Sequence, residues 1–154
     1  MNDNSLREHM LYLLNGDGAH LEFDQVIQDF PAAARGQHPQ GSPHSPWEVL
    51  EHLRIAQRDV LESINNPSHT SPDFPTGYWP SSANPPNKES WEQSAAAYRA
   101  DRKTLTEMVT DSSRDLLAPL PNGDGQTTLR KVFMAVDHNS YHLGQLLLLR
   151  QLLQ

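Results

Sequence analysis

Asn66-Pro67-Ser68-His69-Thr70-Ser71-Pro72-Asp73-Phe74-Pro75-Thr76-Gly77-Tyr78-Trp79-Pro80-Ser81-Ser82-Ala83-Asn84-Pro85-Pro86-Asn87 decides how this chain winds. Pro67, Pro72, Pro75, Pro80, Pro85 and Pro86 deny it a helix, because each lacks a backbone N–H and clashes with the preceding turn. Connections longer than about a dozen residues are uncommon in compact domains and usually serve a purpose. Phe74, Tyr78 and Trp79 argue for order, since disordered segments are poor in aromatics. The stretch reads as an ordered crossover that packs its aromatics on whatever it crosses, with His69 exposed.

A helix is expected on each side of it. Before it, Ser45-Pro46-Trp47-Glu48 is a capping box with proline at the first helical position. Leu50, Leu53, Val60, Leu61 and Ile64, with Val49 and Ala56, then keep helical spacing until Asn65-Asn66-Pro67 stops it. After it, Asn87 can cap a helix running from about Lys88 to Val109, with Trp91, Ala95, Tyr98, Leu105, Met108 and Val109 as its apolar face. Arg99, Arg102, Lys103 and Glu107 read as its solvated side.

Further out, Leu6, Met10, Leu13 and Leu14 predict a first helix from Asn4 to Leu14, ended by Asn15-Gly16-Asp17-Gly18. Phe23, Val26, Ile27 and Phe30 predict a short helix stopped before Pro31. Residues 32–44 read as a loop in which His38 and His44 are solvated. A turn near Arg114–Ala118 and a tight loop at 119–125 follow; its Gly-Asp-Gly lacks the Lys-Ser/Thr of a phosphate loop. The last helix starts at Thr127 or Thr128 and reaches Leu152, with Leu129, Val132, Phe133, Val136, Leu143, Leu146 and Leu147 as its buried stripe.

Four amphipathic helices and no strand pattern predict an all-α four-helix bundle, with residues 1–154 as one domain. The histidines select its winding. His138 and His142 are four residues apart, so they share one helix face and can reach one ion from the same side. At 1.5 Å per residue, His52 lies roughly 9 Å along a helix roughly 27 Å long, and the pair lies roughly 17 and 22 Å along the last helix. The three fall in one layer if these two helices are antiparallel and miss by roughly 10 Å if they are parallel. Antiparallel placement means up-down-down-up winding, with a long crossover between the second and third long helices. The crossover at residues 66–87 meets that requirement.

These residues also carry a family resemblance. Ser45-Pro46-Trp47-Glu48-Val49-Leu50-Glu51-His52 and Asp137-His138-Asn139-Ser140-Tyr141-His142-Leu143-Gly144-Gln145 make the chain resemble the DinB/YfiT-like family of metal-dependent proteins, across nearly its whole length. The resemblance implies a four-helix bundle with up-down-down-up topology. It also implies a metal site of one histidine from the second long helix and a His-x-x-x-His pair from the fourth, which match His52, His138 and His142. Members include thiol-dependent S-transferases and isomerases that use low-molecular-weight thiols, and related bundles often form homodimers.

Three neutral imidazoles leave coordination positions open, as catalytic metal sites do. Zinc is the default divalent ion, with nickel, iron and manganese compatible with an all-histidine set. Such an ion can lower the pKa of bound water to about 7, which suits a hydrolase. It can equally bind a thiolate, which suits an S-transferase. The chain has no cysteine, so a thiol would come from a small-molecule cosubstrate. Gln145, one turn past His142, can face the open side or support the ligand. Glu48 and Glu51 are near enough in sequence to orient His52, and His20 is a further candidate ligand or acid/base group. Trp47, Tyr78 and Trp79 can wall a pocket. Two other readings stand beside the enzyme: a non-catalytic metal-binding or stress-responsive bundle, and a bundle whose histidines are structural.

The bulk numbers narrow the partners. A formal charge of −7, with 12 Lys+Arg against 19 Asp+Glu, argues against nucleic acid, which needs a basic face. The N-terminus is polar rather than basic, and Arg150 interrupts the longest leucine run, so neither a signal segment nor a membrane span is expected. A soluble cytoplasmic protein acting on a small molecule is the expectation.

Overall fold

The computed structural model describes residues 3–16, 18, 20–121 and 125–154. Asp17 of the first helix stop and Asn122–Asp124 of the tight loop, with the Gly-Asp pair weighed above, lie outside the described residues. The described residues form five α-helices: α1 (Asn4–Asn15), α2 (Phe23–Ile27), α3 (Pro46–Asn65), α4 (Ser90–Thr110) and α5 (Thr128–Leu152). No strand occurs among the described residues, and the only pairing of that kind is an isolated bridge between Pro119 and Thr127. Among the described residues, no helix is long and apolar enough to cross a membrane.

The helix starts follow from local chemistry. Ser45 Oγ accepts the Glu48 N–H at 3.2 Å, and the Glu48 carboxylate accepts the Ser45 N–H at 2.7 Å, closing a reciprocal box on α3. The Ser45 hydroxyl also donates to the Ala83 carbonyl at 2.6 Å, which ties the start of α3 to the crossover. Thr127 Oγ1 accepts the Arg130 N–H and caps α5. Asn87 does its capping in a turn just ahead of α4, where its side chain accepts the Glu89 and Ser90 N–H groups. α1 ends at Gly16 with φ 84°, a left-handed conformation that glycine adopts without a Cβ clash.

Two core layers fix the helix directions. One joins Trp47, Leu50 and Leu53 of early α3 to Trp91, Ala95 and Tyr98 of early α4 and to Leu143, Leu146 and Leu149 of late α5. The other joins Val60, Leu61 and Ile64 of late α3 to Leu105, Met108 and Val109 of late α4 and to Val132 and Ala135 of early α5. α3 and α4 therefore run the same way, and α5 runs against both. α1 runs against α4, because Arg7 bonds the Val109 carbonyl near the end of α4. The crossover brings the chain from the far end of α3 back to the near end of α4. α2 adds Phe23, stacked on Tyr98 with ring centroids 4.2 Å apart, to the first layer.

Several expected core positions differ. On α1 the buried face is Arg7, Met10 and Leu14, so Leu13 is left 43% exposed. On α5 the buried line runs through Val132, Ala135, Asn139, His142, Leu146 and Leu149, and Phe133 stands off it. In the crossover Tyr78 and Trp79 are half-buried on the bundle, whereas Phe74 is 87% exposed. His69 is half-buried rather than exposed, because its Nε2 bonds the Asp59 carboxylate at 2.7 Å.

Candidate metal centre

Antiparallel packing of α3 and α5 brings three imidazoles together. His52 Nε2 lies 3.0 Å from His138 Nε2 and 3.1 Å from His142 Nε2. One ring nitrogen from each of the three lies within 4.8 Å of the other two. His52 and His142 are buried and His138 is half-buried.

The outer ring nitrogens explain why the inner ones converge. His52 Nδ1 meets the backbone carbonyl of Tyr78 at 2.8 Å. A carbonyl only accepts, so this nitrogen carries the proton and the Nε2 lone pair faces inward. His142 Nδ1 meets Gln145 Oε1 at 2.7 Å, while the Gln145 amide donates to the Tyr141 hydroxyl at 3.2 Å, an orientation that makes Oε1 the acceptor. Two lone pairs are thus set toward one point by a carbonyl behind each ring, the arrangement that supports metal-bound histidine. Nitrogen ligands about 2.0–2.1 Å from an ion sit roughly 2.9–3.4 Å from one another, so the observed spacing fits a shared divalent cation. Without a cation or proton between them, facing lone pairs at this distance repel.

The crossover builds the other wall. Trp79 is stacked between His44 and His52, at centroid distances of 3.8 and 4.0 Å and interplanar angles of 10° and 5°. His44 is therefore a half-buried stacking partner and not a solvated loop residue. The Tyr78 hydroxyl donates to Asp59 at 2.8 Å, so Asp59, two turns along α3 from His52, anchors the residue whose carbonyl orients His52. Burial works against the Asp59 carboxylate, but hydrogen bonds from His69, Ser71 and Tyr78 outweigh it and hold its pKa below the usual range.

With this geometry in view, the comparison with known families is decisive. The model of the DinB superfamily matches residues 17–146. The chain belongs to the DinB superfamily. No curated protein and no solved structure matches it.

The other candidates in this DinB-superfamily chain go elsewhere. Glu48 closes the α3 capping box and pairs with His38 at 2.9 Å; it folds back toward the helix start instead of forward onto His52. Glu51 bonds Arg54 and the Ser94 hydroxyl on the α4 side of α3. His20 bonds Ser140 at 3.1 Å and the Leu21 carbonyl, and stands outside the three-histidine group. Gln145 supports His142. A buried amide network beside the centre escaped the sequence reading: Asn139 donates to Gln57 at 2.7 Å, and Gln57 donates to the Tyr98 carbonyl at 2.8 Å. Its signal was a polar residue at a core position of each stripe, Gln57 among Leu53, Val60 and Leu61, and Asn139 among Val132, Ala135 and Leu146.

Electrostatics favour neutral imidazoles. Burial lowers the pKa of His52 and His138, and for His52 the Tyr78 carbonyl only partly opposes it. Burial, then the neighbouring His138 and His52, pushes His142 from 6.5 down to about 4. In the metal-free protein these groups take up protons more readily when unfolded. Stability is therefore fully present above pH 6.5 and falls as pH drops toward about 4 for His142. Denaturant titrations of metal-free protein should show a loss of roughly 2–3 kcal/mol across this window. A flat profile there would contradict the neutral buried cluster.

Proposed function

We propose that this DinB-superfamily chain is a metal-dependent enzyme in which His52, His138 and His142 hold one divalent ion through Nε2. The convergence of those three nitrogens, at 3.0 and 3.1 Å from His52, carries the reading. Zinc is the first choice, with nickel, iron and manganese allowed by an all-imidazole set. When bound, the ion would supply Lewis acidity to a water or thiol in its open positions. The chain's own contribution is positional. The Tyr78 carbonyl and Gln145 hold His52 and His142 in the tautomer that presents Nε2, and Trp79 keeps the His52 ring plane fixed by stacking. The absence of cysteine assigns any thiol to a cosubstrate, so the reaction class is hydrolysis of a small molecule or transfer to a low-molecular-weight thiol.

Metal analysis of untagged protein is the direct test. One divalent ion per chain, removable by chelation and restored by adding metal, is expected. Turnover of generic esters and electrophiles, with and without small thiols, should depend on that ion. Protein that is pure, folded and metal-free even after reconstitution would end the proposal. A loaded protein that turns over nothing in either screen would favour a metal-binding role without catalysis.

A further inference from the structure

A cleft of about 260 Å³ lies between α3, α5 and the crossover. Ala56, Val60, Phe74, Pro75, Met134 and Ala135 supply apolar wall, and Gln57, Tyr78, Trp79 and Asn139 also line it. His52 and His138 line it, and His142 does not. Asp59 also lines it, and on α3 it stands about 10 Å from His52. The cleft thus runs along the groove from the histidines toward Asp59, with Phe74 on the crossover side.

Three features describe its occupant. First, the volume is below the roughly 300–1,000 Å³ of pockets for drug-sized ligands, which suits a molecule built on one ring or a short chain. Second, no lysine or arginine is among the lining residues, and the one carboxylate there belongs to Asp59. Both Asp59 oxygens already accept hydrogen bonds, from His69 and from Tyr78, so the group is an ionised neighbour that repels anions. Third, Phe74 is 87% exposed and Met134 is 47% exposed, although both line the cleft. Large apolar side chains left to water at the rim of a cavity are the surface an apolar ligand would cover.

We infer that the cleft is the substrate pocket of the proposed centre and takes a small molecule whose body is uncharged and largely apolar, presented to the His52–His138 side. The inference rests on the metal-centre reading for its chemistry, but not for its binding test. In the metal-free chain an anion of the same size is disfavoured, because no lysine or arginine in the wall offsets the Asp59 carboxylate.

The test uses benzyl alcohol and benzoate as size-matched probes on the full chain at neutral pH, metal-free, followed by amide NMR shifts. Benzyl alcohol should produce saturable shifts at Ala56, Val60, Phe74 and Ala135, with benzoate at least about tenfold weaker. Ala56→Trp, which fills the cleft, should remove the benzyl alcohol shifts. Met134→Lys, at a half-exposed rim position that tolerates a charge, should strengthen benzoate binding at least about fivefold. Equal binding of the two probes would overturn the inference. So would shifts mapping away from the cleft, no binding of benzyl alcohol up to about 10 mM, or no gain of benzoate binding by Met134→Lys. Metal content measured on the same protein separates the two readings. Lost metal retention with intact probe binding would remove the metal centre alone, and retained metal with no probe binding would remove the pocket alone.

Discussion

Replacing His142 with alanine should abolish metal binding at the proposed centre. His142 contributes one of three converging Nε2 atoms, and its ring is held from behind by Gln145 at 2.7 Å. Two remaining imidazoles cannot enclose an ion that prefers at least three protein ligands, so affinity should fall at least about a thousandfold. Gln145→Ala removes only the acceptor behind the ring and should cost about ten- to a hundredfold. His52→Ala should match His142→Ala. The bundle itself should survive, because the substitution also removes a buried imidazole that burial already disfavours in its charged form. Competition titrations with a chromophoric chelator, on variants whose folding is checked by circular dichroism, would measure the series. Metal binding unchanged in His142→Ala would show that the three nitrogens meet for another reason.

The contrast between His142 and Gln145 also shows which parts of the site a sequence can carry. Helix periodicity places His138 and His142 on one face, and the layer arithmetic for His52 needs only a rise per residue and a winding. Both depend on local rules that hold along any α-helix. The groups that orient the rings obey no such rule. The acceptor behind His52 is a backbone carbonyl, Tyr78, and no residue identity encodes where a carbonyl in a proline-rich crossover will point. Glu48 looked suited to orient His52 because four residues separate them, yet at the third position of α3 its carboxylate is drawn back to the free N–H of Ser45. Glu51 lies next to His52 in sequence and therefore about 100° round the helix, where it meets α4. Proximity along the chain brought out the three histidines, and packing between elements chose their supports. The same holds for the core: a stripe reading of α1 chose Leu13 where the bundle buries Arg7, because an arginine can be buried if its whole guanidinium is satisfied.

That arginine should dominate the stability of the far end of the bundle. Arg7 is 5% exposed, and its guanidinium donates to the carbonyls of Val109 at 2.7 Å, Asp111 at 3.0 Å and Arg114 at 2.6 Å. Asp3 pairs with it at 2.7 Å from the position just ahead of α1. α4 has no basic residue in its own last turn, so the unpaired carbonyls and the negative end of its dipole are met by a cation from another helix. Arg7→Ala leaves those carbonyls without their donor and Asp3 without its partner. The loss should be about 3 kcal/mol, since hydrogen bonds from a charged donor are worth about 1.5–3 kcal/mol each and do not add fully. For a chain of this size that is a fall of about 6–12 °C in Tm. Arg7→Lys should recover less than half, because an ammonium cannot span three carbonyls as a planar fork does. Metal affinity at room temperature should not move in either variant, because Arg7 bonds Asp3 and the carbonyls of Val109, Asp111 and Arg114, none of which touches the three histidines. A loss below about 1 kcal/mol in Arg7→Ala would mean that water replaces the guanidinium at the end of α4, and that this clamp is not what holds α1 to the bundle.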